Sequence, residues 1–207
     1  MIQDITTEQI AGYKLYLDLI HARILDKAFD EQAPYLRCKK GCSHCCEWGQ
    51  YPMSAIEINY ILIKVSELSE EKRLEILKNI QDLIEQFKNK NSAEPFFYKC
   101  PFLLNGICSV YENRAIICRT HGLMFFLDDN EGNEKYKIPS CVNLGLNYSN
   151  VYDKELKTIT DKLYEKSGIK FPPQAYNLSL KTLSKKEITS NLGFEFGEFK
   201  SLIEWFM

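Results

Sequence analysis

The sequence predicts a mainly α-helical protein of one domain, with small β-hairpins around a cysteine-rich metal site. Three observations lead to this prediction. Apolar residues recur at three- and four-residue steps in the N- and C-terminal parts, turn signals separate short apolar runs in the middle, and eight cysteines occur in 207 residues. A hydrophobic content of 45% with 26% charged residues is that of a globular chain rather than a disordered one.

Three helices are predicted before the polar stretch "KNKNSAEP". Thr6 with Gln9 and Ser54 with Glu57 form capping boxes, which start the first and the second helix, and Ser69 can cap the third. The apolar faces consist of Ile10, Tyr13, Leu17, Ile20 and Ile24, then of Ile58, Ile61, Leu62 and Val65, and then of Leu77, Ile80, Ile84 and Phe87.

The middle of the chain predicts two hairpins and a short helix. Asn105-Gly106 lies between short apolar runs, which is the signal for a hairpin with a type I′ turn. A capping box of Ser109 with Glu112 predicts a short helix over residues 111–118. The segments "LMFFL" and "KYKI" flank the turn-rich "DDNEGNE" and predict the second hairpin.

The C-terminal third predicts helices again. Their apolar positions are Tyr152, Leu156, Ile159 and Leu163 in a helix closed by Gly168, and Phe199, Leu202, Ile203 and Phe206 in the last helix. Ser184 with Glu187 opens another helix ahead of Gly193. Pro172-Pro173 predicts an irregular connection. The expected organisation is a single domain over 1–207, with an N-terminal helix (1–37), a cysteine-cluster core (38–141) and a helical C-terminal part (142–207).

Charge and hydropathy limit the expected partners and location. The net charge is −2 and the pI is about 6.0, so neither nucleic acid nor an anionic membrane surface is expected as a partner. The N-terminus lacks the basic and apolar regions of a signal peptide, and no apolar run approaches the ~20 residues that span a bilayer. We therefore expect a cytoplasmic protein.

The cysteines carry the functional signal, and in a reducing cytosol clustered thiols favour metal ligation over a disulfide scaffold or a redox pair. The candidate ligands are Cys38, Cys42, Cys45, Cys46, Cys100, Cys108, Cys118 and Cys141. The first three are spaced C-x3-C-x2-C, and each of the last four lies at a predicted element boundary. Ligands from both groups would join distant segments, so metal binding would be coupled to folding.

The adjacent pair Cys45-Cys46 bears on the type of metal centre. Successive residues do not easily point the same way, so we do not expect both on one zinc ion. Two metals or a multi-iron cluster suit the pair better, which favours an iron–sulfur cluster slightly over zinc or iron ions. Eight thiols could fill two four-thiolate sites, or one cluster and a second ion, or one site with spare structural thiols.

Two histidines and two arginines are secondary candidates. His44 and His121 could each replace a thiolate at zinc, although exposed or outer positions are favoured for both. Arg114 and Arg119 could offset the negative charge of thiolates or bind an acidic substrate; an ion pair that fixes the short helix is equally compatible.

The aromatic side chains Tyr111 and Trp48 are expected to pack around the site and to exclude water from it. The sequence contains no phosphate-binding loop, no H-E-x-x-H motif, no serine nucleophile elbow and no dinucleotide fingerprint. Acid–base chemistry therefore has no strong candidate residue.

The cysteine pattern resembles the cysteine-cluster proteins described as zinc- or iron-chelating, often called the YkgJ family. The resemblance rests on "CKKGCSHCC", on "CPFLLNGICSVYENRAIICR" and on Cys141, and it covers roughly residues 38–141. All eight cysteines fall on positions of the family pattern. One departure is Arg114-Ala115, where the family has Arg-Pro, which would loosen the start of the short helix. The resemblance implies binding of iron or zinc and implies no reaction.

Two further function classes remain open besides a metal-binding protein. The C-x3-C-x2-C spacing looks like the radical S-adenosylmethionine signature, and a flagellin lysine N-methylase carries a similar cluster, which suggests an iron–sulfur enzyme that transfers methyl groups. The chain length and helical pattern leave no room for the barrel of such enzymes, and Cys46 has no place in their motif. The third class is an interaction module folded by zinc. We expect metal ions as partners and name no protein partner.

Overall fold

A computed structural model describes residues 4–39, 41–90, 95–128, 134–169 and 172–207. About 52% of the described residues are helical when 3-10 and π-helical turns are counted, above the roughly 33–39% that α- and 3-10 helices together reach in an average globular protein. The prediction of a mainly α-helical chain with small strands is thereby confirmed. Within the described ranges no helix is long and apolar enough to cross a membrane.

The helices and strands are numbered in chain order. The α-helices are α1 (Thr7–Ile20), α2 (Asp26–Gln32), α3 (His44–Glu47), α4 (Ala55–Ser66), α5 (Glu70–Lys88), α6 (Ile116–Thr120), α7 (Asp161–Lys166), α8 (Leu180–Leu183) and α9 (Lys186–Thr189). The strands are β1 (Pro52–Ser54), β2 (Leu103–Leu104), β3 (Ile107–Cys108), β4 (Phe125–Asp128), β5 (Glu134–Lys137), β6 (Tyr152–Asp153), β7 (Thr158–Ile159), β8 (Tyr176–Asn177) and β9 (Phe199–Ser201). A π-helical segment (His21–Leu25) links α1 to α2, and 3-10 turns lie at Ala33–Tyr35, Tyr111–Asn113, Ser140–Leu144, Ser190–Leu192 and Leu202–Trp205.

The chain forms two compact units. Unit 1 consists of Met1–Lys14, Gly41–Arg119 and Lys186–Met207, and unit 2 consists of Leu15–Lys40 and Thr120–Lys185. Whether they act as the one domain expected from the sequence stays a prediction.

The capping boxes predicted for the first two helices are confirmed. The Thr6 amide donates to Gln9 Oε1 over 2.9 Å, and the Ser54 amide donates to Glu57 Oε2 over 2.8 Å. The third helix also forms, but Ser69 makes no side-chain cap and the buried face differs from the predicted one. Leu77 is 54% exposed, and the buried positions of α5 are Ile76, Ile80 and Leu83.

The core of unit 1 is built on α4, α5 and two small strand pairs. Strand β1 pairs antiparallel with β9, so that Met53 faces Lys200. The Trp205 indole donates to the Met53 carbonyl over 3.0 Å, which holds the C-terminal turn on this core. The predicted hairpin is confirmed in β2 and β3, where Asn105 (φ 49°) and Gly106 (φ 75°) have the two positive φ angles of a type I′ turn.

The predicted continuous helix over 111–118 is wrong. Arg114 has an extended backbone (ψ 148°) that separates the 3-10 turn at Tyr111–Asn113 from α6. Ser109 does not cap a helix, because its hydroxyl donates to the Phe102 carbonyl over 2.9 Å. At the Arg114-Ala115 departure from the family pattern, the Ala115 carbonyl accepts the Cys118 amide at 3.0 Å. The expected loosening of the helix start stays a prediction.

The last predicted helix is also wrong. Residues 199–201 form β9 because they pair with β1, and only the 3-10 turn Leu202–Trp205 follows. This turn starts at a capping box of Ser201 with Glu204. The helix predicted between Ser184 and Gly193 is present in shortened form as α9 and a 3-10 turn.

Unit 2 contains the second predicted hairpin, formed by β4 and β5, and β8 adds to β4 in parallel. The hairpin is confirmed, while residues 129–133 of its turn lie outside the described residues. The core includes Tyr35, Met124 and Tyr148. The side-chain amide of Gln32 donates to the Met124 carbonyl over 2.9 Å and accepts the Met124 amide over 2.9 Å.

The helix predicted from Tyr152 to Gly168 is mostly wrong. Its first half is the hairpin of β6 and β7, and only α7 is helical. The cause is local, because Asp153 Oδ1 accepts the amides of Glu155 (2.9 Å) and Leu156 (3.0 Å). This side-chain turn competes with the helix that the apolar spacing predicts. The connection at Pro172-Pro173 is irregular, as predicted.

Candidate metal centre

The adjacent cysteines Cys45 and Cys46 lie on the short helix α3, with their sulfurs 4.0 Å apart. The helix begins where Ser43 accepts the Cys46 amide at 2.7 Å. Two thiolates at about 2.3 Å from one tetrahedral ion are about 3.8 Å apart. The spacing of the two sulfurs is thus close to that of two ligands of one ion, and the expectation that the pair does not share one zinc stays a prediction.

Cys100 is brought to α3 by backbone hydrogen bonds. Its amide donates to the Cys46 carbonyl over 2.8 Å. An antiparallel bridge between Gly49 and Tyr98, with hydrogen bonds of 3.2 and 3.1 Å, holds the two segments in register. The thiol of Cys100 is buried in the core of unit 1.

Cys108 on β3 and Cys118 on α6 complete a group of thiols in unit 1. Both pack against the same core as Cys46 and Cys100. Cys118 lies within electrostatic reach of Cys100, Cys108 and Cys45. Five thiols, here called the thiol cluster, thus come together from α3, residue 100, β3 and α6. They are Cys45, Cys46, Cys100, Cys108 and Cys118.

The thiols of this cluster differ in acidity. A hydrogen bond from Cys46 lowers the pKa of Cys45 to about 7, and the same bond raises the pKa of Cys46. Burial raises the pKa of Cys100 to about 12, and burial also raises the pKa values of Cys108 and Cys118. Near neutral pH the metal-free cluster therefore holds one readily formed thiolate and several protonated thiols.

The thiols of the cluster lie near one another, but they do not form a metal-coordination geometry. Across the described ranges, no three cysteine, histidine, aspartate or glutamate side chains are arranged so that they could hold a metal ion as they stand. The histidines do not change this result: His44 is half-buried at the start of α3, and His121 is exposed. The donor chemistry fits a soft metal ion, since buried, clustered thiols become good ligands once a metal displaces their protons.

The other three predicted ligands lie elsewhere. Cys42 is exposed in the loop before α3, and Cys38 and Cys141 belong to unit 2. The Asn147 side-chain amide donates to Cys38 Sγ over 3.1 Å, and Asn147 Oδ1 accepts the Cys38 amide over 3.1 Å. Nothing in the sequence around Asn147 singled out this buried residue. The thiols of Cys38 and Cys141 both lie within electrostatic reach of the buried Tyr148 hydroxyl.

The two arginines have different roles. Arg119 Nε donates to the Arg114 carbonyl over 2.9 Å, and its guanidinium also donates to the Glu112 carbonyl, so Arg119 fixes the loop ahead of α6. The Arg114 guanidinium instead lies over the Tyr111 ring, 3.8 Å from the ring centroid. Its charge acts on the thiols of Cys45 and Cys108.

The predicted shielding by Tyr111 and Trp48 is wrong, because these side chains belong to residues that are 60% and 68% exposed. Trp48 stacks on Phe97 at the surface, with 6.0 Å between ring centroids. The aromatic residue that covers the cluster is Tyr51, which is buried and donates its hydroxyl to the Cys45 carbonyl over 2.6 Å. No sequence pattern around Tyr51 predicted that it would contact the thiol cluster.

A buried carboxylate supports α6 beside the cluster. Glu57 Oε1 accepts the Ile116 amide over 2.8 Å and the Tyr13 hydroxyl over 3.5 Å, while Oε2 accepts the amide and the hydroxyl of Ser54. Burial raises the pKa of Glu57, and these hydrogen bonds oppose the shift. Sequence reasoning identified Glu57 as part of a capping box but missed its contact with the helix that carries Cys118.

The fold and the thiol cluster define a small, mainly helical protein of the cysteine-cluster class. A model of the family CxxCxxCC, described as "Putative zinc- or iron-chelating domain", matches residues 37–144. This match covers more than half of the chain, and the chain belongs to this family. The resemblance inferred from the sequence over residues 38–141 is thereby confirmed. No curated protein and no solved structure matches the chain significantly.

Proposed function

We propose that this protein binds iron or zinc through thiolates of the thiol cluster in unit 1. The observation that carries the proposal is the convergence of five reduced cysteines from four segments, including a pair of sulfurs 4.0 Å apart. The family assignment supports the same chemistry. The bound metal would act as a Lewis acid or as an electron carrier, depending on which metal it is.

The chain's own residues prepare the cluster for such an ion. Cys45 offers the first thiolate, because its pKa is lowered to about 7. The buried thiol of Cys100 and the partly buried thiol of Cys118 would lose their protons as they become ligands, and the charge of the ion offsets the cost of burying thiolates. Tyr51 holds the backbone of α3 and keeps water from this side of the cluster.

The finer proposal is an iron–sulfur cluster. Five thiols exceed the four that a single structural zinc takes, and four thiolates are the usual ligands of a four-iron cluster. Cys42, in the same loop, and the pair Cys38 and Cys141 in unit 2 remain proposed ligands on the family pattern.

The first experiment measures iron and zinc per chain in protein purified without oxygen. About four irons per chain support the iron–sulfur cluster, and one or two zinc ions support a zinc centre. Cys45→Ser and Cys118→Ser should lose metal and melt at a lower temperature. Ile80→Ala is the matched control, because it removes buried carbon atoms from the same core on α5, a helix without a cysteine. It should lower the melting temperature and keep the metal.

The same protein separates the two other function classes. A change in the absorption spectrum on adding S-adenosylmethionine indicates an open coordination position and favours an enzyme. Zinc that does not exchange with a chelator favours an interaction module. A wild-type chain without metal, or full occupancy in both serine variants, would refute metal binding at the thiol cluster.

A further inference from the structure

Arg114 occupies a fixed position beside the thiol cluster. It lies between β3, which carries Cys108, and α6, which carries Cys118. Its extended backbone (ψ 148°) turns the chain from the 3-10 turn into α6, and the hydrogen bond from Arg119 Nε to its carbonyl holds this conformation at 2.9 Å. The direction of the Arg114 side chain is therefore set by a backbone conformation that a hydrogen bond stabilises.

The side chain of Arg114 stacks on one aromatic ring. Its guanidinium carbon is 3.8 Å from the centroid of the Tyr111 ring, a stacked arrangement in which the ring faces solvent. The Nε atom is buried and has no hydrogen-bond partner in the described part of the chain. An unpaired buried donor on a charged group is costly, so we expect this N–H to find a hydrogen-bond acceptor.

Two thiols of the cluster are candidates for the partner of this N–H. Cys45 and Cys108 lie within electrostatic reach of the guanidinium. Other cations in the area are engaged on the surface: Lys64 with Glu67 and Glu112, and Lys99 with Glu47. Four thiolates around a divalent ion leave a net charge of about −2, which a neighbouring guanidinium would offset.

We infer that Arg114 is a positioning residue of the metal centre, whose Nε–H donates to a thiolate sulfur of Cys45 or Cys108 in the metal-bound protein while Tyr111 holds the guanidinium plane. The inference rests on the proposed function and adds to it a charge-balancing group outside the coordination sphere. Such outer partners orient ligands and tune the metal. Arg119 also lies within electrostatic reach of Cys118, but its guanidinium donates to the carbonyls of Arg114 and Glu112.

The test uses Co²⁺ as a spectroscopic probe in anaerobic, reduced protein. Arg114→Gln removes the charge, and Arg114→Lys keeps the charge without the planar Nε–H. The matched control is Lys99→Gln, which removes a cation from an exposed ion pair near α3, where Lys99 Nζ lies 3.8 Å from Glu47 Oε2. Chelator competition gives the affinity, and the energy of the sulfur-to-cobalt charge-transfer band reports hydrogen bonding to sulfur.

We expect Arg114→Gln to bind Co²⁺ about 10- to 100-fold more weakly, as for outer partners in other metal sites, with a shifted charge-transfer band. Arg114→Lys should regain most of the affinity and keep the shifted band. Lys99→Gln should match the wild type within about twofold, because an exposed pair contributes little.

Each failure has its own meaning. Wild-type protein that binds no Co²⁺ refutes the proposed function. If wild type binds and a folded Arg114→Lys protein shows the wild-type band, the hydrogen bond to sulfur is refuted while metal binding stands. If Arg114→Gln also keeps the wild-type affinity, Arg114 does not balance the charge of the centre. Far-ultraviolet circular dichroism establishes whether each variant is folded. If the Arg114→Gln protein does not fold, the charge-transfer band of the Arg114→Lys protein alone tests the hydrogen bond to sulfur.

Discussion

Replacing Glu57 with alanine tests how the metal-free fold supports the thiol cluster. The Glu57 carboxylate is 1% exposed and accepts hydrogen bonds from three residues, which tie the start of α4 to the start of α6. Glu57→Ala removes all of these contacts. The amides of Ser54 and Ile116 then remain buried without the oxygens that accepted them.

The expected loss of stability follows from the number of donors left unpaired. Each buried backbone amide without a partner costs about 1–3 kcal/mol, and the cavity left by the side chain adds to this. We therefore expect Glu57→Ala to lower the free energy of unfolding by about 3–5 kcal/mol. That is a large share of the roughly 5–15 kcal/mol that stabilises an ordinary domain. Glu57→Gln keeps one acceptor oxygen and should lose about half as much.

Urea unfolding followed by circular dichroism, in reduced and metal-free protein, measures this loss. Glu67→Ala is the control at the C-terminal cap of α4, because the Glu67 side chain makes an exposed ion pair with Lys64 at 3.2 Å. It should change the unfolding free energy by less than about 0.5 kcal/mol. A loss below about 1 kcal/mol for Glu57→Ala would refute the view that this carboxylate anchors α6.

The difference in unfolding free energy between wild type and Glu57→Ala should change with pH in a definite direction. Burial raises the pKa of Glu57 in the folded protein, so the folded state keeps this proton to a higher pH than the unfolded state does. The contribution of Glu57 to stability is therefore full below its ordinary pKa of 4.5 and decreases as the pH rises through the folded-state pKa. The stability gap between wild type and Glu57→Ala should narrow from pH 5 upward. A gap that widens would mean that the hydrogen bonds outweigh burial.

Two further predictions concern thiol reactivity and packing. In metal-free protein, alkylation of Cys45 by iodoacetamide should reach half its maximal rate near pH 7, because the hydrogen bond from Cys46 lowers the pKa of Cys45 to about 7. Cys46→Ala should move this midpoint to higher pH. A wild-type midpoint near pH 9 would contradict the lowered pKa of Cys45. Gly12→Ala should destabilise unit 1 by roughly 1–3 kcal/mol through overpacking, because a Cβ atom at Gly12 would lie 2.1 Å from the Leu192 carbonyl oxygen. Gly193→Ala meets no atom within 4 Å and serves as the control for thermal melting, since it adds only the strain of a left-handed backbone, about 1 kcal/mol.

The parts of the fold that local signals determine were predictable. The capping boxes at Thr6 and Ser54 and the turn at Asn105-Gly106 each act within four residues, and the structure confirms all three. Failures occur where another interaction competes with the apolar pattern. Asp153 bonds to nearby amides in place of a helix, and residues 199–201 pair with a strand almost 150 positions earlier in the chain, which no local pattern reveals.

The candidate site divides in the same way. Spacing and family resemblance identified the cysteines, because the clustered thiols are visible in the sequence itself. The 4.0 Å approach of the Cys45 and Cys46 sulfurs depends on α3, a helix too short to produce a periodic signal. Tyr51 reaches the cluster only through tertiary packing, so its position in the sequence did not mark it.

The thiols of α3 are joined to residues that come much later in the chain, as in the hydrogen bond from the Cys100 amide to the Cys46 carbonyl, and this order matters while the chain is synthesised. The thiol cluster cannot assemble until the ribosome has released residues up to Cys118. At 5–20 residues per second, the thiols of α3 precede Cys118 by several seconds. During that interval Cys45 and Cys46 have no buried surroundings to protect them from oxidants. The yield of metal-loaded protein should therefore depend on the reducing conditions during translation, and not only on those during purification.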